Sequence, residues 1–184
     1  MSAAAPTTTS AAMLDTASQL ATQWAIEHLL ARYVHALDDD RLEEWPAFFT
    51  EQGRYRITTL ENHRANLPLC IVQADSRAMM RDRIAALRHA NIYEAQSYRH
   101  TVTSSLVKPL GDKASGGSMT YEAVSNFTVT RIMHDGAMML FATGRYVDRI
   151  TCAGAGAGEA AWLFEDRLVI LDSRRIDTLL AIPL

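Results

Sequence analysis

Residues 98–110 read YRHTVTSSLVKPL, and at this point the chain changes from helical to strand periodicity. Tyr98, His100 and Val102 take one face, while Arg99 and Thr101 take the other. That is the period of two expected of a strand with one face buried. Three more long stretches follow: MTYEAVSNFTVTRIM (119–133), MMLFATGRYVDRI (138–150) and AAWLFEDRLVILD (160–172). GDKASGG, HDG and AGAGAGE separate them with turn chemistry. Consecutive strands joined by hairpins pair antiparallel. Strands much longer than the usual ~5–6 residues twist and curl rather than lie flat.

Upstream of Tyr98 the pattern is mostly helical. Leu20, Trp24, Ile26, Leu29, Leu30, Tyr33, Val34 and Leu37 recur at steps of three and four, with Thr16 and Gln19 at capping-box spacing. This predicts an amphipathic helix beginning near Thr16. Asp40 and Glu43 repeat the cap spacing ahead of Trp45, Phe48 and Phe49, predicting a second, short helix with Pro46 in its first turns. GRYRITTL (53–60) alternates Tyr55, Ile57 and Thr59 against Arg54, Arg56 and Thr58, as a strand does. ENHRANLP reads as a loop, LCIVQ as a short strand, and Asp75 or Ser76 as the cap of a helix burying Met80, Ile84, Leu87 and Asn91. Helices first and long hairpin-linked strands afterwards define an α+β domain. The expected shape is a strongly curved, mostly antiparallel sheet wrapped into a cone, with the N-terminal helices packed on it. Residues 16–184 form the domain. Residues 1–15, rich in Ala, Thr and Ser, read as a flexible tail.

Bulk properties narrow the function. A 184-residue chain with 48% apolar and 21% charged residues can bury an ordinary core. A net charge of −3 offers no basic excess to hold a phosphate backbone, which argues against nucleic acid. No apolar run approaches the ~20 residues that span a bilayer, and the start lacks the charged and apolar regions of a secretion signal. Cys70 and Cys152 make no disulfide framework and read as buried inert thiols. The expectation is a cytoplasmic protein.

Candidate chemistry concentrates in HALDDDRLEEW (35–45) and in His100. The acidic run reads chiefly as helix-end chemistry, with Asp38 as its one functional candidate. His28 and His35 lie seven residues apart, ~10 Å along one helix, and no HExxH or Cys-x-His spacing occurs. No metal site is therefore expected. Gly154, Gly156 and Gly158 lead into a strand rather than a helix, so they read as a hairpin loop and not a phosphate cradle. If the inward strand face lines a cone, Tyr98 or His100 could meet Tyr33 or Asp38. Tyr33, Asp38 and His100 would then be the acid–base candidates of an isomerase or dehydratase. The bland alternative is that these polar tips satisfy one another inside a filled cone. A small-molecule binding module is a third reading. The final stretch RRIDTLLAIPL is apolar enough that Leu179, Leu180, Ile182 and Leu184 must pack on their own sheet or on a partner.

Six segments taken in order carry a resemblance: LDDDRLEEWPAFFTEQGRYRITT, ADSRAMMRDRIAALRHANIYE, YRHTV, RIMHDG, FATGRYVD and DTLLAIPL. The chain resembles the small (beta) subunit of Rieske non-haem iron aromatic-ring-hydroxylating oxygenases, nearest to the terephthalate and salicylate types. That resemblance implies the cone-shaped fold of cystatin-like and ketosteroid-isomerase-like domains. It implies a structural subunit with no catalytic residue of its own, acting in the catabolism of aromatic carboxylates. It further implies a trimer carrying three large (alpha) subunits, which would hold the Rieske [2Fe–2S] cluster and the mononuclear Fe(II). Interface candidates are the strand arginines Arg99, Arg145 and Arg149 and the apolar residues Leu179, Leu180, Ile182 and Leu184.

Overall fold

The computed structural model describes residues 8–90, 92, 94–112, 119–153, 161–176 and 180–184. Helix α1 (Thr8–Asp38) leads into a 3-10 helix (Leu42–Phe48) and strand β1 (Phe49–Thr59). Next come helix α2 (Leu60–Arg64), strand β2 (Val72–Ala74) and helix α3 (Arg77–His89). Four long strands complete the chain: β3 (Gln96–Asp112), β4 (Met119–Met133), β5 (Met138–Ala153) and β6 (Ala161–Leu171). The six described strands form one open sheet in the order β2-β1-β6-β5-β4-β3. Every neighbouring pair is antiparallel except β1 and β6.

The sheet curls around α1. At one edge α1 reaches β3, where the Gln23 side-chain amide donates to the Ser105 carbonyl at 3.0 Å. Near the other end the Tyr33 ring packs edge-on against Phe164 of β6 and Phe49 of β1. Register shifts in β1, β3, β4 and β5 let the long strands bend. Gly144 marks the tightest approach within the sheet: a Cβ there would lie 2.0 Å from the Ile170 carbonyl oxygen. The concave face buries Tyr55, Ile57, Phe127, Val129, Tyr146, Ile150, Phe164 and Val169 against Ile26, Leu29, Leu30, Tyr33 and Leu37 of α1.

Several sequence expectations need correction. Helix α1 begins at Thr8, ahead of the cap predicted at Thr16. Residues 8–15 of the supposed flexible tail are thus helical, as their alanines favour, and residues 1–7 lie outside the described residues. Asp40 caps no helix. It has left-handed backbone (φ 56°), the 3-10 helix starts after Arg41, and no side chain caps it. Instead the Asp40 and Glu43 carboxylates grip Arg88 of α3, at 2.9 and 2.8 Å. The ENHR part of the expected loop is helix α2, capped by the Thr59 hydroxyl, which accepts from the Asn62 N–H at 3.2 Å. Ser76 caps α3 as expected, its hydroxyl accepting from the Met79 N–H. Met80, Ile84 and Leu87 are buried, while Asn91 is outside the described residues. Neither cysteine forms a disulfide and both are only partly buried, with Cys70 in the segment before β2 rather than in a strand.

The apolar end packs into this chain's own core. Leu180, Ile182 and Leu184 are buried within this chain. Their hydrophobicity is therefore satisfied within the chain itself. Leu179 lies outside the described residues.

Candidate functional site

The cone interior is built from alternate residues of β5 and β6 facing α1. On β5, Tyr146, Asp148 and Ile150 share the inward face; on β6, Arg167, Val169 and Leu171 do. Arg167 and Asp148 are register partners, so their side chains meet inside the core. Arg167 Nε donates to Asp148 Oδ1 at 2.9 Å, and a terminal nitrogen donates to Oδ2 at 2.8 Å. Both side chains are fully buried. The guanidinium lies over three rings: Tyr33 and Phe164 at 4.1 Å, and Tyr146 at 4.2 Å. Such a bidentate, ring-stacked arrangement suits a planar guanidinium and would not suit lysine. Burial opposes the charge on Arg167, but Asp148 outweighs it and holds the guanidinium ionised. Burial pushes the Asp148 carboxyl up, against the pull of the same arginine. The centre of the cone is therefore filled by a salt bridge and its aromatic cage.

The predicted acid–base set is divided between two networks. Asp38 and His100 do meet: His100 Nδ1 lies 2.6 Å from Asp38 Oδ1, and the His100 backbone N–H donates to Oδ2 at 2.9 Å. Arg99 stands 3.7 Å from the same carboxylate, with its own side chain largely in solvent. Tyr33 belongs elsewhere. It accepts from Trp45 Nε1 at 3.0 Å and donates to the Leu184 carbonyl at 2.9 Å. Burial raises its pKa, so it stays a neutral donor. Tyr98 sits edge-on to the His100 ring. His100 Nε2, the atom that would serve as a base, is buried without a hydrogen-bond partner. A groove of about 400 Å³ lined by Leu37, Asp38, Gln96, Tyr98 and Ile182 runs nearby, and His100 is not part of its lining. Asp38 thus ties the end of α1 to the edge strand β3, and its base is shut away from any substrate.

Sequence reasoning missed the Arg167–Asp148 pair. The signal was present: Asp148 alternates with Tyr146 and Ile150 in GRYVDRI, so a carboxylate stands where apolar residues are expected. The strand arginines chosen as interface candidates occupy the other parity. Arg145 and Arg149 are exposed on the outer sheet face, as is Arg99 on β3. Among the described residues no group of three or more His, Cys, Asp or Glu side chains is placed to hold a metal ion. The donor chemistry needed for an iron or a cluster does not fit this set, because Asp38 already engages the one buried histidine. No described helix is long and apolar enough to cross a membrane.

A curled sheet over a long helix, with its interior sealed, defines a class. A sequence profile for the SnoaL-like domain matches residues 18–167. The beta 1 subunit of the terminal oxygenase component of terephthalate 1,2-dioxygenase from Comamonas sp. is 40% identical over 154 residues, covering 84% of this chain and 93% of that one. The anthranilate 1,2-dioxygenase small subunit from Burkholderia cepacia is 35% identical over 172 residues, covering 94% of this chain and all of that one. A crystal structure described as the beta subunit of an aromatic-ring-hydroxylating dioxygenase from Novosphingobium aromaticivorans superimposes with a TM-score of 0.76. It is 33% identical and covers 91% of this chain and 99% of that one. The chain belongs to the SnoaL-like family and, within it, to the small subunits of ring-hydroxylating dioxygenases.

Proposed function

We propose that this chain is the structural small subunit of a multicomponent aromatic-ring-hydroxylating oxygenase of the cytoplasm, acting on an aromatic carboxylate. The observation that carries the reading is the likeness, at 33–40% identity, to small subunits over almost the whole domain. The relatives' substrates, terephthalate and anthranilate, are both aromatic carboxylates and support that substrate class. The interior occupied by Arg167, Asp148 and their rings supports a scaffold role, since it leaves no room there for a substrate. The Rieske cluster and the mononuclear iron, which would supply oxygen activation, belong on a large subunit in this reading. Three small and three large subunits would form the assembly, with Arg99, Arg145 and Arg149 on contact surfaces. The rival acid–base reading keeps one supporting feature, the Asp38–His100 pair, but its ring is sealed.

Co-expression with a Rieske-type large subunit, followed by native mass measurement, tests the proposal. A three-plus-three complex that hydroxylates an aromatic carboxylate, and keeps its turnover when His100→Ala is assembled into it, is the expected result. A chain that never joins a large subunit, or that turns over substrate unaided, would overturn it.

A further inference from the structure

Trp24 belongs to the apolar stripe of α1 in sequence, yet it is 66% exposed in the structure. It does not stand alone. His28 and Arg32 follow at steps of four, so three planar side chains share one helix face, beside the face that buries Ile26, Leu29 and Tyr33. The Trp24 indole stacks on the His28 ring, with centroids 5.2 Å apart and planes 6° from parallel. One indole face is thereby covered and the other is left open. The Arg32 guanidinium lies over the Phe48 ring at 5.8 Å, and among the described residues no carboxylate pairs with it. A second wall comes from β6. Trp162, two residues before Phe164, takes the same strand face and is only partly buried. Trp24, His28, Arg32, Phe48 and Trp162 all line one groove of about 420 Å³. That volume lies within the ~300–1,000 Å³ common for small-molecule sites.

Two indoles offer stacking or edge contacts to a flat ring. Arg32 adds a planar fork of donors that matches a carboxylate. With its face laid over Phe48, the guanidinium keeps its donor edge for a ligand. An aliphatic carboxylate would use the fork and miss the rings. A neutral arene would use the rings and miss the fork. We propose that this groove binds a planar aromatic carboxylate, with its ring against Trp24 and Trp162 and its carboxylate on Arg32. This goes beyond the scaffold role and does not depend on it.

The test titrates the full-length chain with sodium benzoate, followed by indole fluorescence and by amide and indole shifts in NMR. Saturable binding at about 0.1–1 mM is expected of a single-ring ligand. Cyclohexanecarboxylate, which keeps the charge and loses the flat ring, should bind about fivefold more weakly. Benzyl alcohol, which keeps the ring and loses the charge, should bind about tenfold more weakly. Arg32→Gln should weaken benzoate about tenfold and leave benzyl alcohol unchanged, whereas Trp24→Ala should weaken both. Both side chains are exposed, so these variants should melt like the unaltered chain. Should either fail to fold, the unaltered chain decides: benzoate should shift the Trp24 and Trp162 indole N–H signals. No saturation by ~10 mM, or shifts centred away from the groove, would sink the proposal. So would an Arg32→Gln chain that holds benzoate as well as before. Tighter binding of adenosine monophosphate than of benzoate would also overturn it, by assigning the groove to nucleotides.

Discussion

Arg167 shows how one residue's value depends on its partner. Removing Asp148 alone leaves a guanidinium sealed among Tyr33, Tyr146 and Phe164 with its counter-charge gone. Asp148→Ala should therefore cost about 3–5 kcal/mol in urea denaturation, whereas Arg167→Met with Asp148→Leu should come close to the unaltered chain. A double variant as unstable as the single one would refute this account of the core. The buried phenols make a second residue-scale prediction. Burial raises the pKa values of Tyr33, Tyr55 and Tyr146 above the ordinary 10.0. Groups with raised folded values contribute stability that is present below ~10 and lost as pH rises past it. In an alkaline titration followed by phenolate absorbance, these three should ionise only as the fold melts. Ionisation of all six tyrosines before melting would contradict it.

At the scale of elements, the links between pieces distant in sequence carry the predictions. Asp38 joins α1 to β3 by accepting two hydrogen bonds from His100. Asp38→Ala should lower stability by about 1–3 kcal/mol, since it leaves a buried N–H and a ring nitrogen without partners. The loss should show first as faster hydrogen exchange at the β3 edge. The second link is Arg88 of α3 with Glu43 and Asp40. Its hydrogen bond from Arg88 holds Glu43 below the ordinary 4.5. A lowered carboxylate contributes stability above its unfolded value and loses it as pH falls through the folded one. Melting temperature should therefore fall slightly more below pH ~4.5 for the unaltered chain than for Arg88→Ala. Glu43 is largely exposed, so the difference should stay within the ~0.2–1 kcal/mol of a screened pair.

In the proposed assembly, the two sheet faces divide stability from association. The concave face holds the core, while the outer face carries Arg145 and Arg149 in solvent. Arg145→Glu should change the melting of the isolated chain by no more than ~0.5 kcal/mol, as for most surface sites. In the co-expressed complex it should weaken assembly, read as loss of the three-plus-three mass. An intact complex would remove Arg145 from the interface. Leu180→Ala should do the opposite, destabilising the isolated chain by about 2–5 kcal/mol because its side chain fills the chain's own core.

What the sequence determined by itself was set by local period and composition. The strand alternation around His100, the stripe along α1 and the Ser76 cap depend on neighbours a few residues away, so the α+β order was legible. The meeting of Asp38 and His100 was half legible, because parity gave the faces but not the pairing. Three things were decided only in three dimensions. The register of β5 against β6 set Arg167 opposite Asp148. The closure of α3 on the 3-10 helix turned Asp40 and Glu43 from caps into partners for Arg88. The return of Leu184 to Tyr33 and Tyr55 set the apolar end into the chain's own core. Each joins residues tens of positions apart, where no local pattern operates and only the shape of the packed chain selects the partner.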